Sequence, residues 1–302
     1  MKKSLVALAA LALVGAASAQ SSVTMYGVAD LSLAKATGSS AQMSGNGVMN
    51  NGSSRLGVRG TEDLGGGLKA NFNFEQGINA ETGATDAVTF QRAANMSLSG
   101  GFGTILMGRT LTPSFYGVAA WELTGTANYS AVASQFGFAG GPSRNSSQFT
   151  YTTPSMGGLS ASIGYITDPD MGPAADNAKL DMNVIYRGGP LTVGLSANKT
   201  ENMSTNASLG AKYDLGMFQV AGSLQDAAGP SKGFTIGAGA NLGAVSLVLD
   251  IARDTNDKTT DVLLEAKYPL SKRTFAYAAA LRQDFVVGDK VTNYGVGLRH
   301  NF

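Results

Sequence analysis

Polar and apolar residues alternate through most of this chain. Leu68, Ala70, Phe72 and Phe74 interleave with Lys69, Asn71, Asn73 and Glu75. Leu191, Val193, Leu195 and Ala197 interleave in the same way with Thr192, Gly194, Ser196 and Asn198. Nearer the end, Phe275, Tyr277, Ala279 and Leu281 share one face, and Tyr294, Val296, Leu298, His300 and Phe302 share another. A period of two marks a strand with one apolar and one polar face, because successive side chains of an extended backbone point to opposite sides. Runs of this length match the roughly 9–11 residues with which a tilted strand crosses a bilayer. Helical spacing competes nowhere for long.

Short breaks, all but the last containing glycine, separate the runs at residues 64–67, 100–103, 156–158, 188–190, 215–217, 242–244 and 269–273. Polar, Asp- and Ser-rich segments such as 168–176 and 254–261 lie between them. Tight turns alternating with longer loops are the pattern of an outer-membrane barrel with its turns on the periplasmic side. Seven tight turns with both chain ends on that side require sixteen strands. The expected fold is all-β, a 16-stranded antiparallel transmembrane β-barrel made by residues 20–302 as one domain.

Residues 1–19 read as an address removed before folding. Lys2 and Lys3 precede an apolar run at residues 5–14, and Ala17-Ser18-Ala19 is an A-x-A cleavage site. That run is too short for a spanning helix. A soluble sandwich or propeller would also have strands with one buried face. Against it stand the strand lengths, the exporting leader and the aromatic last residue, Phe302.

Composition then narrows the chemistry. Zero Cys excludes disulfide frameworks, Cys-ligated zinc and thiol nucleophiles. The single His, His300, makes a His-based triad or a His-rich metal site untenable, so no catalytic residue, metal or cofactor is expected. A net charge of +1 carries no basic footprint for nucleic acid. Forty glycines suit close approach and curvature in a barrel wall, since no Gly-X-Y period is present. Gly237-Ala238-Gly239 lacks the helix of a phosphate loop. Asp254, Asp257 and Asp261 lack EF-hand spacing. Asn128-Tyr129-Ser130 fits the glycosylation pattern only formally.

Several segments carry a family resemblance. Ser22-Val23-Thr24-Met25-Tyr26-Gly27 resembles the opening strand of the general trimeric porins of Gram-negative bacteria. Residues 54–60 (SRLGVRG), Met107-Gly108-Arg109, Arg144-Asn145-Ser146 and the ending Gly297-Leu298-Arg299-His300-Asn301-Phe302 resemble that family in the same order, most like its β-proteobacterial branch. The resemblance implies a homotrimer in outer-membrane lipid and lipopolysaccharide, with the third external loop folded into the lumen. It implies passive diffusion of small hydrophilic solutes and ions, with no enzymatic step. Phe302 then resembles the terminal signal read by the barrel assembly machinery.

A porin's selectivity lies in charges that face its lumen. Leu56 and Val58 suit the lipid face, which turns Arg55 and Arg59 inward; an arginine facing lipid at the midplane costs about 2–4 kcal/mol. Arg92 shares parity with Met96 and Leu98 and by apolarity alone would face lipid, whereas the resemblance places it on the lumen wall, with Arg144. The constriction loop should span residues 112–143, with Tyr116, Trp121 and Tyr129 and one acid, Glu122, as the only candidate to face the arginines. The resemblance also implies a subunit latch between Glu81, on the second external loop at residues 77–89, and Arg109. Up to four arginines against one carboxylate predict an anion-preferring pore, opposed at the mouth by Asp168, Asp170 and Asp176. A substrate-selective channel for an anionic nutrient is the alternative, and a barrel enzyme or adhesin the third reading.

Overall fold

A computed structural model describes residues 21–138, 142–167, 177–227 and 231–302. The leader, and the mouth acids Asp168, Asp170 and Asp176, lie outside the described residues. The strands in chain order are β1 (Ser22–Ala36), β2 (Gln42–Ser44), β3 (Arg55–Gly65), β4 (Leu68–Gly77), β5 (Ala93–Gly100) and β6 (Gly103–Leu111). After two short helices, α1 (Pro113–Ala119) and α2 (Ala131–Phe136), come β7 (Arg144–Thr152), β8 (Leu159–Ile166), β9 (Lys179–Gly188) and β10 (Leu191–Thr200). The last seven are β11 (Asn206–Asp214), β12 (Phe218–Asp226), β13 (Lys232–Leu242), β14 (Val245–Asp254), β15 (Thr260–Pro269), β16 (Thr274–Gln283) and β17 (Val291–Asn301).

Every strand but β2 pairs antiparallel with its neighbours in a closed barrel of sixteen strands. Closure is made by β1, whose residues 28–36 pair with β17 and whose residues 22–28 pair with β3. Strand β2 is a three-residue addition from the first external loop, paired with Ser32, Leu33 and Ala34. All seven expected tight turns are present, and glycines at positive φ form six of them: Gly66 and Gly67, Gly103, Gly157 and Gly158, Gly189, Gly216 and Gly243. Such angles cost a residue with a Cβ but not glycine.

The outward face is apolar and unshielded by protein. Met25, Leu33, Leu195, Leu209, Leu224, Ile236, Leu249, Leu264 and Val296 are all exposed. In water so continuous an apolar belt would be untenable, whereas hydrocarbon removes the penalty. Phe102, Tyr151, Tyr186, Tyr213, Phe218 and Tyr268 stand exposed near the tight turns, as an aromatic girdle does at a membrane interface. Among the described residues no helix is long and apolar enough to cross a membrane; the strands cross it.

One strand inverts the usual pattern. On β16 the large apolar residues Tyr277 and Leu281 are buried inside the barrel with Ala279, while Ala276, Ala278 and Ala280 take the outer face. Tyr277, Ala279 and Leu281 join Ala252, Leu263, Met49, Tyr129, Ala131 and Phe136 in an internal apolar cluster. Period-two spacing gives the two faces of a strand but not which is inside. Here the apolar face is occupied by loops that fold into the lumen.

Candidate functional site

The described part of the third external loop, residues 112–138, is built to lie against one side of the barrel. Thr112 caps α1 by accepting from the Phe115 amide at 3.3 Å, and Pro113 starts the helix without wasting an N–H. The buried face of α1 is Pro113, Ser114, Gly117 and Val118. Asp181 on β9 accepts from the Ser114 amide at 2.6 Å and from its hydroxyl at 2.9 Å. Asn183 donates to the Pro113 carbonyl at 2.6 Å, and Asn198 donates to the Ser114 hydroxyl at 3.1 Å. Lys179, 3.1 Å from Asp181, balances that buried charge.

Trp121 follows α1 and is 1 % exposed. Gly194 and Gly210 leave the hollow it fills: a Cβ on Gly210 would stand 2.2 Å from the indole ring. Past it, α2 starts from the capping hydroxyl of Ser130 and packs on β14 and β15. The first external loop folds inward as well. Asp30 on β1 accepts from Asn50 at 2.9 Å, the Gly52 amide at 3.0 Å and the Tyr277 hydroxyl at 2.5 Å. Asn51 donates to the Tyr129 hydroxyl at 2.8 Å, and Asn128 to the Gly47 carbonyl at 3.1 Å, so the two loops brace each other.

Glu122 sits inside this assembly. It is 3 % exposed, and its carboxylate accepts from the Thr124 amide (3.0 Å), the Thr124 hydroxyl (2.5 Å), the Thr126 amide (2.8 Å) and the Ser130 hydroxyl (2.8 Å). These four bonds tie the loop to itself. Glu122 is therefore not the acid that meets the arginines, the role expected for it from the sequence.

That acid is Glu75, on the lumen face of β4. Arg92 Nε lies 2.7 Å from one carboxylate oxygen, Arg55 Nε lies 3.5 Å from the other, and the Tyr26 hydroxyl donates to Glu75 at 3.0 Å. Arg144 donates to the Arg92 backbone carbonyl at 3.0 Å, which brings a third guanidinium to the group. Arg92 points inward because β5 starts only at Ala93, so the strand's parity does not govern it. Arg59 is inward too, but four residues along β3 from Arg55, a separation of about 13 Å. It stacks 4.9 Å over the Tyr26 ring and borders a polar recess of about 290 Å³ with Asn71, Asn73, Asn95 and Ser97. The structure thus gathers Arg55, Arg92 and Arg144, and leaves Arg59 toward the periplasmic end.

Sequence reasoning missed Glu75, Tyr26 and Arg299. Arg299 faces the lumen from β17 opposite Asp30 and donates to Asn51 at 2.8 Å. Glu75 stood in the polar set of the first alternating run; what was lacking was the register that pairs it with Gly57, beside Arg55. On α1, Tyr116 is exposed, one turn beyond Thr112, whose amide bonds the Ser143 carbonyl beside Arg144. Burial of its hydroxyl raises the Tyr116 phenol above its ordinary range, an effect Arg144 only partly offsets. Burial, with Glu265 adding, also raises the Tyr129 phenol. Both are neutral at physiological pH, so they add no charge to the gap.

The remaining expected residues lie elsewhere. Arg109 pairs with Ala94 on the outward side of β6 and holds the Gln91 carbonyl and the Ser146 hydroxyl, the latter at 2.9 Å. Glu81 is exposed in the second external loop, its amide bonded to Asn79 at 2.9 Å. Phe302 exchanges two backbone bonds with Gly27, each 3.0 Å, and its ring covers that glycine on the outer face. Among the described residues no group of His, Asp or Glu is arranged to hold a metal ion.

A closed sixteen-strand barrel with a loop folded against its inner wall is one arrangement; sequence comparison decides which lineage built it. The model of the Gram-negative porin family matches residues 5–288. The chain belongs to that family. Relatives of this porin include outer membrane porin protein 32 of Delftia acidovorans, 34% identical with all of both chains covered. An outer membrane porin protein of Bordetella pertussis is 30% identical, again over all of both chains. Among solved structures, the anion-selective porin from Comamonas acidovorans superposes with a TM-score of 0.78 at 28% identity, covering 94% of this chain and 100% of that one. OmpT of Vibrio cholerae, at 16% identity and a TM-score of 0.69, shares the fold. The porin is thus a multi-pass β-barrel of the outer membrane and a passive channel for small hydrophilic solutes.

Proposed function

We propose that this porin prefers anions, and that the preference is set where Arg55, Arg92 and Arg144 meet the single carboxylate of Glu75. Three guanidiniums against one carboxylate leave the gap positive, and the loop facing them offers a neutral phenol instead of an acid. Arginine stays protonated at any physiological pH. In a narrow lumen the ~8 Å Debye length at physiological salt leaves much of this field acting on a passing ion. The burial of Glu122 in its own loop is the observation that carries the reading, because it ties the loop's one acid to the loop's own amides and hydroxyls instead of setting it against the arginines. That a solved structural neighbour is described as anion-selective agrees with it.

The decisive measurement is a reversal potential in a potassium chloride gradient at neutral pH. Its sign should be that of chloride permeating faster; the opposite sign would sink the proposal. The assembly we propose is a homotrimer embedded in lipid and lipopolysaccharide, delivered by cleavage after Ala19 and inserted by the barrel assembly machinery through Phe302. In the trimer Glu81 reaches a neighbouring subunit's copy of Arg109. Exposed ion pairs contribute only about 0–1 kcal/mol, so Glu81→Ala should lower the temperature at which trimers dissociate by a few degrees at most, and an unchanged value would remove this contact.

A further inference from the structure

The constriction has a charged wall and an aromatic one. Because α1 turns Pro113, Ser114, Gly117 and Val118 to the barrel, Phe115 and Tyr116 stand on its lumen side. Tyr116 is 47% exposed, and Phe115 meets it edge-on with centroids 5.7 Å apart. Phe115 is in turn edge-on to Phe138 at 5.3 Å. The aromatic row runs along the loop and ends at Tyr116, one turn beyond Thr112, whose amide bonds the Ser143 carbonyl next to Arg144. Inorganic anions would use the guanidiniums alone. An anion that carries a flat ring could use both walls at once, its carboxylate against planar guanidiniums and its ring against the Tyr116 face.

We propose that the constriction favours aromatic carboxylates over aliphatic carboxylates of the same size, the carboxylate meeting Arg92 and Arg144 and the ring lying against Tyr116. This rests on the anion-preferring reading above. The phenol hydroxyl is secondary, since what the ring offers is a π face beside a cationic wall. Size alone is separated from aromaticity by comparing benzoate with cyclohexanecarboxylate, whose saturated ring is no smaller.

The test uses the purified full-length porin in planar bilayers. Permeabilities of benzoate and cyclohexanecarboxylate are read from reversal potentials against acetate in the same channels, so that a change in pore width cancels in their ratio. Benzoate should exceed cyclohexanecarboxylate by about three- to tenfold, the range that one ring–ring contact supplies. Tyr116→Phe should keep the ratio and Tyr116→Leu should bring it close to one. Equal permeabilities in the unaltered porin, or a ratio that Tyr116→Leu does not move, would overturn the proposal. Cation preference in potassium chloride, read in the same bilayers, would instead remove the reading on which it rests.

Discussion

Glu75 takes its two guanidinium neighbours from either side of β4, Arg55 from β3 and Arg92 from the loop entering β5. A carboxylate so placed both holds the arginines in position and subtracts from their field. Glu75→Gln should therefore raise the anion-to-cation permeability ratio by about twofold or more at low salt, and the gain should shrink at 1 M salt, where the Debye length is ~3 Å. Arg144→Ala should shift the reversal potential the other way. The arginines keep their protons and Tyr116 is held neutral by its surroundings, so their contribution to the ratio should stay level from about pH 6 to pH 9. The sign follows from the direction of the phenol's shift: raised, Tyr116 loses its proton only above its ordinary range, and the negative charge that would oppose anions is missing below it. A titration of selectivity against pH checks this.

Residue identity was legible in sequence more readily than residue partnership. Arg55 could be turned inward from the apolarity of Leu56 and Val58. Arg92 could not, because parity is informative only inside a strand and Arg92 lies just before one. Glu122 was visible as the loop's single acid, yet its four partners include Ser130, eight residues on, and arise only once the loop has folded back on itself.

At the scale of elements, the lumen loop is held by a buried ion pair and a glycine hollow rather than by its own helices, which are too short to persist alone. Lys179 and Asp181 are both almost fully enclosed. Asp181→Ala leaves Lys179 without its counter-charge and the first turn of α1 without an acceptor. Loss of one partner of a buried pair costs about 3–5 kcal/mol, and the porin should lose heat-modifiable, folded mobility on gels at a markedly lower temperature. Replacing Lys179 by Met in the same chain should recover part of that loss. The seven tight turns were readable because six of them need glycine at positive φ. The inward apolar face of β16 was not readable, because it depends on Met49 and Tyr129 arriving from two distant loops.

For the whole molecule, closure depends on the meeting of the two chain ends. Phe302 contributes its backbone to the seam with β1 and its ring to the outer face. Deleting it should reduce the yield of folded porin in the outer membrane, measured as the heat-modifiable fraction, while the channels that do insert conduct normally. Normal yield with altered conductance would contradict that assignment. Total fold was thus the most legible level, since alternation and turns repeat around the barrel and errors at single residues average out.

The porin's sole tryptophan, Trp121, lies in the lumen loop, seated in the hollow left by Gly194 and Gly210. Its ultraviolet emission is therefore a local signal from the loop folded into the lumen. While the loop stays docked, that light should be blue-shifted and poorly quenched by iodide, although iodide itself can travel the pore. Undocking would redden it and open it to the quencher, so the molecule carries its own optical gauge of whether its channel is in working shape.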